Sequence, residues 1–336
     1  MDLNLSWFLG VIRDIVSRRE AYSLVHVHCS GVYWPLLCGI LVSKWMRIPL
    51  VLTVHCSLHA TYHAMSQLDA MLLPFSRWVE RCAIRRAART IVLTTRSMAK
   101  YREMDIAPPD RFVKVPDCID VESFANQATP ERVDAFRHRH NVPSGRTIVA
   151  FVGRIAHEKG WQYLVAVARE LNDRTFHFLI CGDGNERDLF ESQLQQEGLR
   201  DMFTFTGFVP CESVALALSL SSVVVMTSLH EEFGGAMIEG MVMAKPVVAF
   251  EVGGLSETLK SGEAGCLVPF GDVVGMAKKI REVTCERELA TGLGMGGRLH
   301  VEQLYGLDAA CDSIRAVYDE VMKRSPLATK PGGAIP

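Results

Sequence analysis

Short β-branched runs alternate with longer amphipathic segments along the whole chain, which predicts an α/β protein whose strands form parallel sheets. Its 336 residues correspond to about two domains at roughly 150 residues each. The turn-rich segment Asn141-Val142-Pro143-Ser144-Gly145, at the end of a polar stretch from Asn126 to Arg146, sits just before a strong new strand and marks where the two halves meet. The expected division is 1–140 and 141–310, then a carboxyl-terminal helix over 311–324 packing back on the first half, then a disordered tail over 325–336.

Taken in order, the buried strands are predicted at 24–28, 50–55, 90–95, 111–116, 147–153, 176–182, 203–207, 223–228, 246–250 and 265–269. Helical periodicity fits Leu36 to Met46, Phe75 to Ala88, Trp161 to Leu171, Asn185 to Glu197, Ser213 to Ser219, Ala236 to Ala244, Val273 to Glu282 and Ala309 to Lys323. The chain opens on a helix-like segment and reaches its first clear strand only at Leu24. Doubly wound domains ordinarily open with a strand feeding a Gly-rich turn, so the first half reads as short by one βα unit.

Composition removes several classes of function. Hydrophobic residues at 49% and charged residues at 22% are those of an ordinary folded domain, not of a disordered chain. A net charge of -2 offers no field for a nucleic-acid backbone. The ten cysteines are scattered without a C-x-x-C pair, as expected of mostly buried small hydrophobes in a reduced compartment. No basic region or small-residue cleavage site marks the start, and the longest apolar run is broken by Lys44, Arg47, Pro35 and Pro49, so the expected location is the cytoplasm.

Three strand-to-helix turns carry the chemistry. Gly153-Arg154 through Glu158-Lys159-Gly160 places two cations at a helix start, where free N–H groups also attract an anion; it reads as a diphosphate clamp or as a plain βα turn with solvated charges. Gly182-Asp183-Gly184 is a second such turn, weak by itself. His230-Glu231-Glu232-Phe233-Gly234-Gly235 through Glu239 is the most informative. It sets two carboxylates and two Gly N–H groups at the carboxyl end of a buried strand, where open α/β sheets bind ligands. Dipole-complementing or surface glutamates would explain one of those carboxylates, not the cluster.

These turns, with Gly207-Phe208-Val209-Pro210, Lys245-Pro246-Val247-Val248 and Gly253-Gly254-Leu255-Ser256-Glu257 in the same order, resemble the second half of retaining glycosyltransferases of the family 4 type. The resemblance implies a GT-B fold, with two Rossmann-like domains facing across a cleft and a nucleotide sugar, most simply a UDP-sugar, held mainly by the second. It implies that Arg154 and Lys159 bind the diphosphate, Glu231 the sugar hydroxyls and Glu239 the ribose. Gly153, Gly182 and Asp183 would shape the donor site, Phe233, Gly234 and Gly235 would face the phosphate or sugar, and Val209 would lie near the base. No metal or other cofactor is expected, and no His/Cys cluster at ligand spacing is present in the sequence.

In the first half, Leu52-Thr53-Val54-His55-Cys56-Ser57 resembles the family segment whose His lies near the anomeric carbon, which makes His55 the catalytic candidate there. His26 and His28 match a further family position; alternating along a strand, at most one of them is expected to face the cleft. His59, Thr61, Tyr62, His63 and Asp69 form a polar-aromatic loop expected over the cleft. The runs around His26 and His55 look most like the aminocyclitol glycosyltransferases of aminoglycoside antibiotic biosynthesis, which implies transfer of N-acetylglucosamine or glucose to 2-deoxystreptamine. The family's opening strand and Gly-Gly loop have no counterpart in this sequence, and its N-G-[IV]-D turn appears as Asp117-Cys118-Ile119-Asp120. Arg77, Arg81 and Arg85 recur at four-residue spacing, with Arg86 and Arg89 beyond, and read as a solvated helix face or as a contact for anionic lipid. A cell-envelope glycosyltransferase with a lipid or polysaccharide acceptor, and a sugar-nucleotide-binding protein without turnover, are the rival readings.

Overall fold

A computed structural model describes residues 2–18, 22–59 and 67–324. The chain divides into two compact units, one running to Pro116 and resuming at Ala310, the other spanning Asp117–Ala309.

The first unit holds four parallel strands in sequential order: β1 (Val25–Ser30), β2 (Leu50–Cys56), β3 (Arg89–Val92) and β4 (Phe112–Lys114). β3 is buried throughout and β2 through its first five residues, so they read as continuous apolar runs instead of alternating ones. The two faces of β2 serve different clusters, as the period of two requires. Leu50, Leu52 and Val54 pack with Leu36, Ile84 and Phe112. Val51 on the other face meets Ile91 and Val115 together with Val317 and Val321 of the helix Leu307–Lys323. The same helix offers Glu320, whose two oxygens accept from the fork of the buried Arg89.

The second unit is a six-stranded parallel sheet: β5 (Thr147–Val152), β6 (Phe176–Cys181), β7 (Phe203–Gly207), β8 (Val223–Met226), β9 (Val247–Phe250) and β10 (Cys266–Val268), in the order β10-β9-β8-β5-β6-β7. The order reverses between β5 and β8, and this is where an open parallel sheet leaves a crevice beyond its strand ends. Trp161, Phe178, Phe190, Phe203 and Phe250 fill one face, while Phe136, Ile148, Leu179 and Leu216 fill the other.

All ten predicted strands are present. The division between the units falls at Pro116 and Asp117, upstream of the expected residue 140, because the polar stretch after Asn126 contains the helix Pro130–Arg139, whose Phe136 packs into the second sheet. The helix Arg287–Leu304 escapes the periodicity because four glycines dilute it. Two of them are required: a Cβ at Gly294 would stand 2.1 Å from the carbonyl oxygen of Ala244, and one at Gly296 2.1 Å from that of Glu263. Only Cys29, Cys38 and Cys181 are buried, so most of the ten cysteines are not the core fillers expected of them. The expected tail over 325–336 lies outside the described residues. No helix among the described residues is long and apolar enough to cross a membrane.

Candidate active site

In the second unit, the chain leaves β5 at Gly153 and forms one 3-10 turn, His157–Lys159, before the helix Trp161–Leu171. Gly160 joins the two with φ of 68°, and a Cβ there would stand 1.9 Å from the carbonyl oxygen of Thr227, so only glycine fits. That close approach ties the turn to the loop after β8. Leu229 donates its N–H to the Glu158 carbonyl at 2.9 Å, and the Thr227 hydroxyl donates to the Lys159 carbonyl at 3.2 Å.

With the backbones fixed in this way, Lys159 Nζ lies 2.6 Å from Glu231 Oε1, and the Ser228 hydroxyl donates to the same oxygen at 2.7 Å. Glu231 Oε2 takes no hydrogen bond from the described residues. The loop then turns through Gly234, at φ of 87°, into the helix Gly235–Val242. A cavity of about 250 Å³ is lined by Gly153, Lys159, Ser228, Glu231, Gly235 and Glu239. Glu239 has no partner among the described residues, and burial raises its carboxyl from 4.5 to about 7. A second cavity of about 620 Å³ shares Gly235 and Glu239 and continues past Phe233 and Cys211 to the segment Asp117–Gln127.

Of the predicted donor-site residues, Gly153, Lys159, Glu231, Gly235 and Glu239 therefore line one cavity. Arg154 does not join them: its guanidinium pairs with Glu158 at 2.9 Å on the exposed side of the turn. Asp183 serves its own turn, accepting from the Gly184 N–H at 2.8 Å and from Arg187 at 3.3 Å. Gly182 donates its N–H to the Gly207 carbonyl, and Val209 packs against the cluster holding Leu216. Phe233 is buried edge-on against Tyr305. Ser228 was not singled out from sequence, although its place two residues after a buried strand was the available signal. The segment Asp117–Asp120, which stands where the resemblance places an N-G-[IV]-D turn, lines the larger cavity. No group of three or more His, Cys, Asp or Glu residues able to hold a metal occurs among the described residues.

In the first unit, His55 Nε2 lies 2.8 Å from His28 Nδ1, with the rings stacked at 5.1 Å. His26 is bound on both nitrogens, at 2.7 Å from the Tyr318 hydroxyl and 2.7 Å from that of Thr53. Burial, aided by the neighbouring His28 and His55, lowers its pKa to about 4. The rings of His26 and His28 are 4.4 Å apart, which corrects the premise that the two alternate along the strand: residues two apart share a face.

His59 makes a 3.1 Å hydrogen bond with the Arg77 carbonyl and lies 4.0 Å from Glu80, a buried carboxyl raised to about 7 that accepts from the Tyr101 hydroxyl. Thr61, Tyr62 and His63 lie outside the described residues, as does the side chain of Asp69. The basic helix face is also revised. Arg77 turns its Nε to the Leu58 carbonyl at 2.9 Å, and Arg89 belongs to β3 and is buried against Glu320.

Comparison with known proteins agrees with this architecture. A model described as glycosyl transferases group 1 matches residues 133–300, and one described as a glycosyl transferase 4-like domain matches residues 3–118. The 2-deoxystreptamine glucosyltransferase of Streptomyces kanamyceticus is 34% identical over 95% of this chain and 84% of that protein. The 2-deoxystreptamine N-acetyl-D-glucosaminyltransferase of Niallia circulans is 33% identical over 89% of this chain and 77% of that protein. Anabaena HepE, solved in complex with UDP-glucose, superposes with a TM-score of 0.77 at 20% identity, covering 93% of this chain and 82% of its own. The protein is thus a glycosyltransferase of GT-B fold. The chain belongs to the group 1 glycosyl transferases, among which 2-deoxystreptamine glycosyltransferases are its relatives.

Proposed function

We propose that the enzyme transfers glucose or N-acetylglucosamine from a UDP-sugar to a hydroxyl of 2-deoxystreptamine, with retention of anomeric configuration and without a metal ion. The observation that carries this reading is the Lys159–Glu231 pair beside the unpartnered Glu239 in one cavity at the strand-order reversal. The two relatives named for 2-deoxystreptamine transfer, and a fold neighbour holding UDP-glucose, support the acceptor and the donor.

On donor binding, Lys159 exchanges Glu231 for the diphosphate, which frees Glu231 to accept from sugar hydroxyls, and Arg154 leaves Glu158 to join Lys159. Both cations then stabilise the charge that develops as the bond from C1 to the phosphate oxygen breaks. The acceptor oxygen bonds to C1 on that same face, and its proton passes to the departing phosphate oxygen, so no protein base is required. Glu239 holds the ribose hydroxyls, and in the first unit His28 orients the catalytic candidate His55. A cytoplasmic location belongs to the same proposal, in keeping with ten cysteines that form no disulfide.

The test is UDP release from UDP-glucose and UDP-N-acetylglucosamine with 2-deoxystreptamine, with a lipid acceptor and with neither. Acceptor-dependent release with 2-deoxystreptamine is expected. Release only with the lipid favours an envelope enzyme, and UDP binding without release under any condition favours a non-catalytic binding protein.

A further inference from the structure

The first unit contains a cavity of about 580 Å³ at the amino-terminal edge of its sheet, where β2, β3 and β4 begin. His28 and His55 sit farther along β1 and β2, so this cavity is distinct from the histidine cluster of the same unit. Five arginines line it, Arg47, Arg86, Arg89, Arg111 and Arg324, with a single carboxylate, Asp110. Glu320, bound by both Arg89 and Arg324, is the other acid at hand. Five guanidinium groups against two carboxylates leave a surplus of three positive charges.

Capping of helix ends accounts for part of this arrangement. Arg86 reaches the Ser43 carbonyl at 3.4 Å, Arg111 that of Arg85 at 2.9 Å, and Arg89 that of Ala88 at 3.0 Å. The helices Tyr33–Met46 and Gln67–Arg86 both end at the cavity, and each contributes about half a negative charge. Together they offset about one of the three surplus charges. Arg47 is left unexplained: it fills a left-handed position, φ 60°, that ordinarily falls to Gly or Asn, and its guanidinium meets no partner among the described residues. Guanidinium groups converging in this way match the planar, multiply charged oxygens of a phosphate better than any neutral ligand.

We infer that this cavity binds a multiply charged phosphate anion, either free in solution or as the headgroup of an anionic phospholipid. The experiment uses the full chain carrying Lys159→Ala, which silences the candidate donor site, and titrates it with inorganic pyrophosphate at low ionic strength. One equivalent should bind saturably, and the double substitution Arg47→Ala/Arg86→Ala, at two exposed side chains, should weaken it by about tenfold or more. Arg324→Ala should weaken it in the same direction, whereas Arg81→Ala/Arg85→Ala, exposed on the same helix but outside the cavity, should not. A parallel arm measures sedimentation with phosphatidylglycerol vesicles against phosphatidylcholine vesicles. Capture by the anionic vesicles alone, lost with Arg47→Ala/Arg86→Ala, assigns the phosphate to lipid. Binding of neither probe, or binding indifferent to Arg47, Arg86 and Arg324, overturns the inference.

Discussion

Lys159 and Glu231, 72 residues apart in sequence, meet at 2.6 Å because Gly160 lets the turn after β5 touch the loop after β8. Each is the other's counter-ion until a ligand with its own negative charge and hydroxyl groups separates them. Lys159→Ala and Glu231→Ala should each lower turnover by about tenfold or more while leaving the melting temperature near that of the wild type. The double variant should lose less than the sum of the two free-energy changes, because each single change already breaks the pair. Wild-type turnover in either single variant, measured by UDP release, would remove the pair from the site.

Glu239 gives a pH dependence. Its carboxyl is raised to about 7, so between about pH 4.5 and 7 the folded protein keeps a proton that the unfolded chain has released. Stability should therefore fall as pH rises through that window. Nucleotide affinity should rise over the same range as the carboxylate becomes free to accept from ribose hydroxyls, with proton release on binding near pH 6.5. Calorimetry in buffers of different ionisation enthalpy measures that release, and Glu239→Gln should abolish it.

Two glycines of the site should respond in opposite ways. At Gly160 an added methyl group meets the Thr227 carbonyl and a positive φ, so Gly160→Ala should destabilise the fold by roughly 1–3 kcal/mol. At Gly235 a Cβ would meet nothing within 4 Å, yet the residue lines both cavities. Gly235→Ala should keep the melting temperature and weaken nucleotide binding. Thermal denaturation with and without UDP reads both outcomes.

Chelation should leave the rate unchanged. If Lys159 and Arg154 supply the positive charge for the departing diphosphate, turnover after exhaustive treatment with EDTA should equal that with added magnesium. A rate restored only by a divalent cation contradicts the metal-free proposal.

Glu320→Ala should lower thermal stability without changing UDP affinity, since it strips the buried Arg89 of its partner. Arg89 holds the Glu320 carboxyl below the usual carboxylate range. The contribution of the pair should thus be present above about pH 4.5 and fade as the solution is acidified. A variant whose melting temperature follows that of the wild type across this range would show the pair to be energetically idle.

The second unit was largely legible because its chemistry sits in short turns after strands buried on both faces, where glycine and charge stand out against apolar runs. Lys159, Glu231 and Glu239, which stand out in this way, line one cavity. The pairing of Arg154 is less legible because sequence records charge and not direction: with no ligand bound, Glu158, four residues on, holds its guanidinium. The helix Arg287–Leu304 was hidden by glycines that serve backbone contact, which no propensity scale credits. In the first unit, the arginines read as one helix face belong to a helix, a loop contact and a strand, a partition that depends on tertiary pairing with Glu320 and Leu58.

The last helix bears on the order in which the polypeptide acquires its structure. Val317, Val321 and Glu320 complete the first sheet, yet 231 residues separate Arg89 from Glu320. A nascent chain emerging from the ribosome will have exposed the whole of Asp117–Ala309 before the segment that closes the amino-terminal half exists. The half synthesised first is consequently finished last, waiting with one face of β2 and β3 uncovered until the helix Leu307–Lys323 has been made.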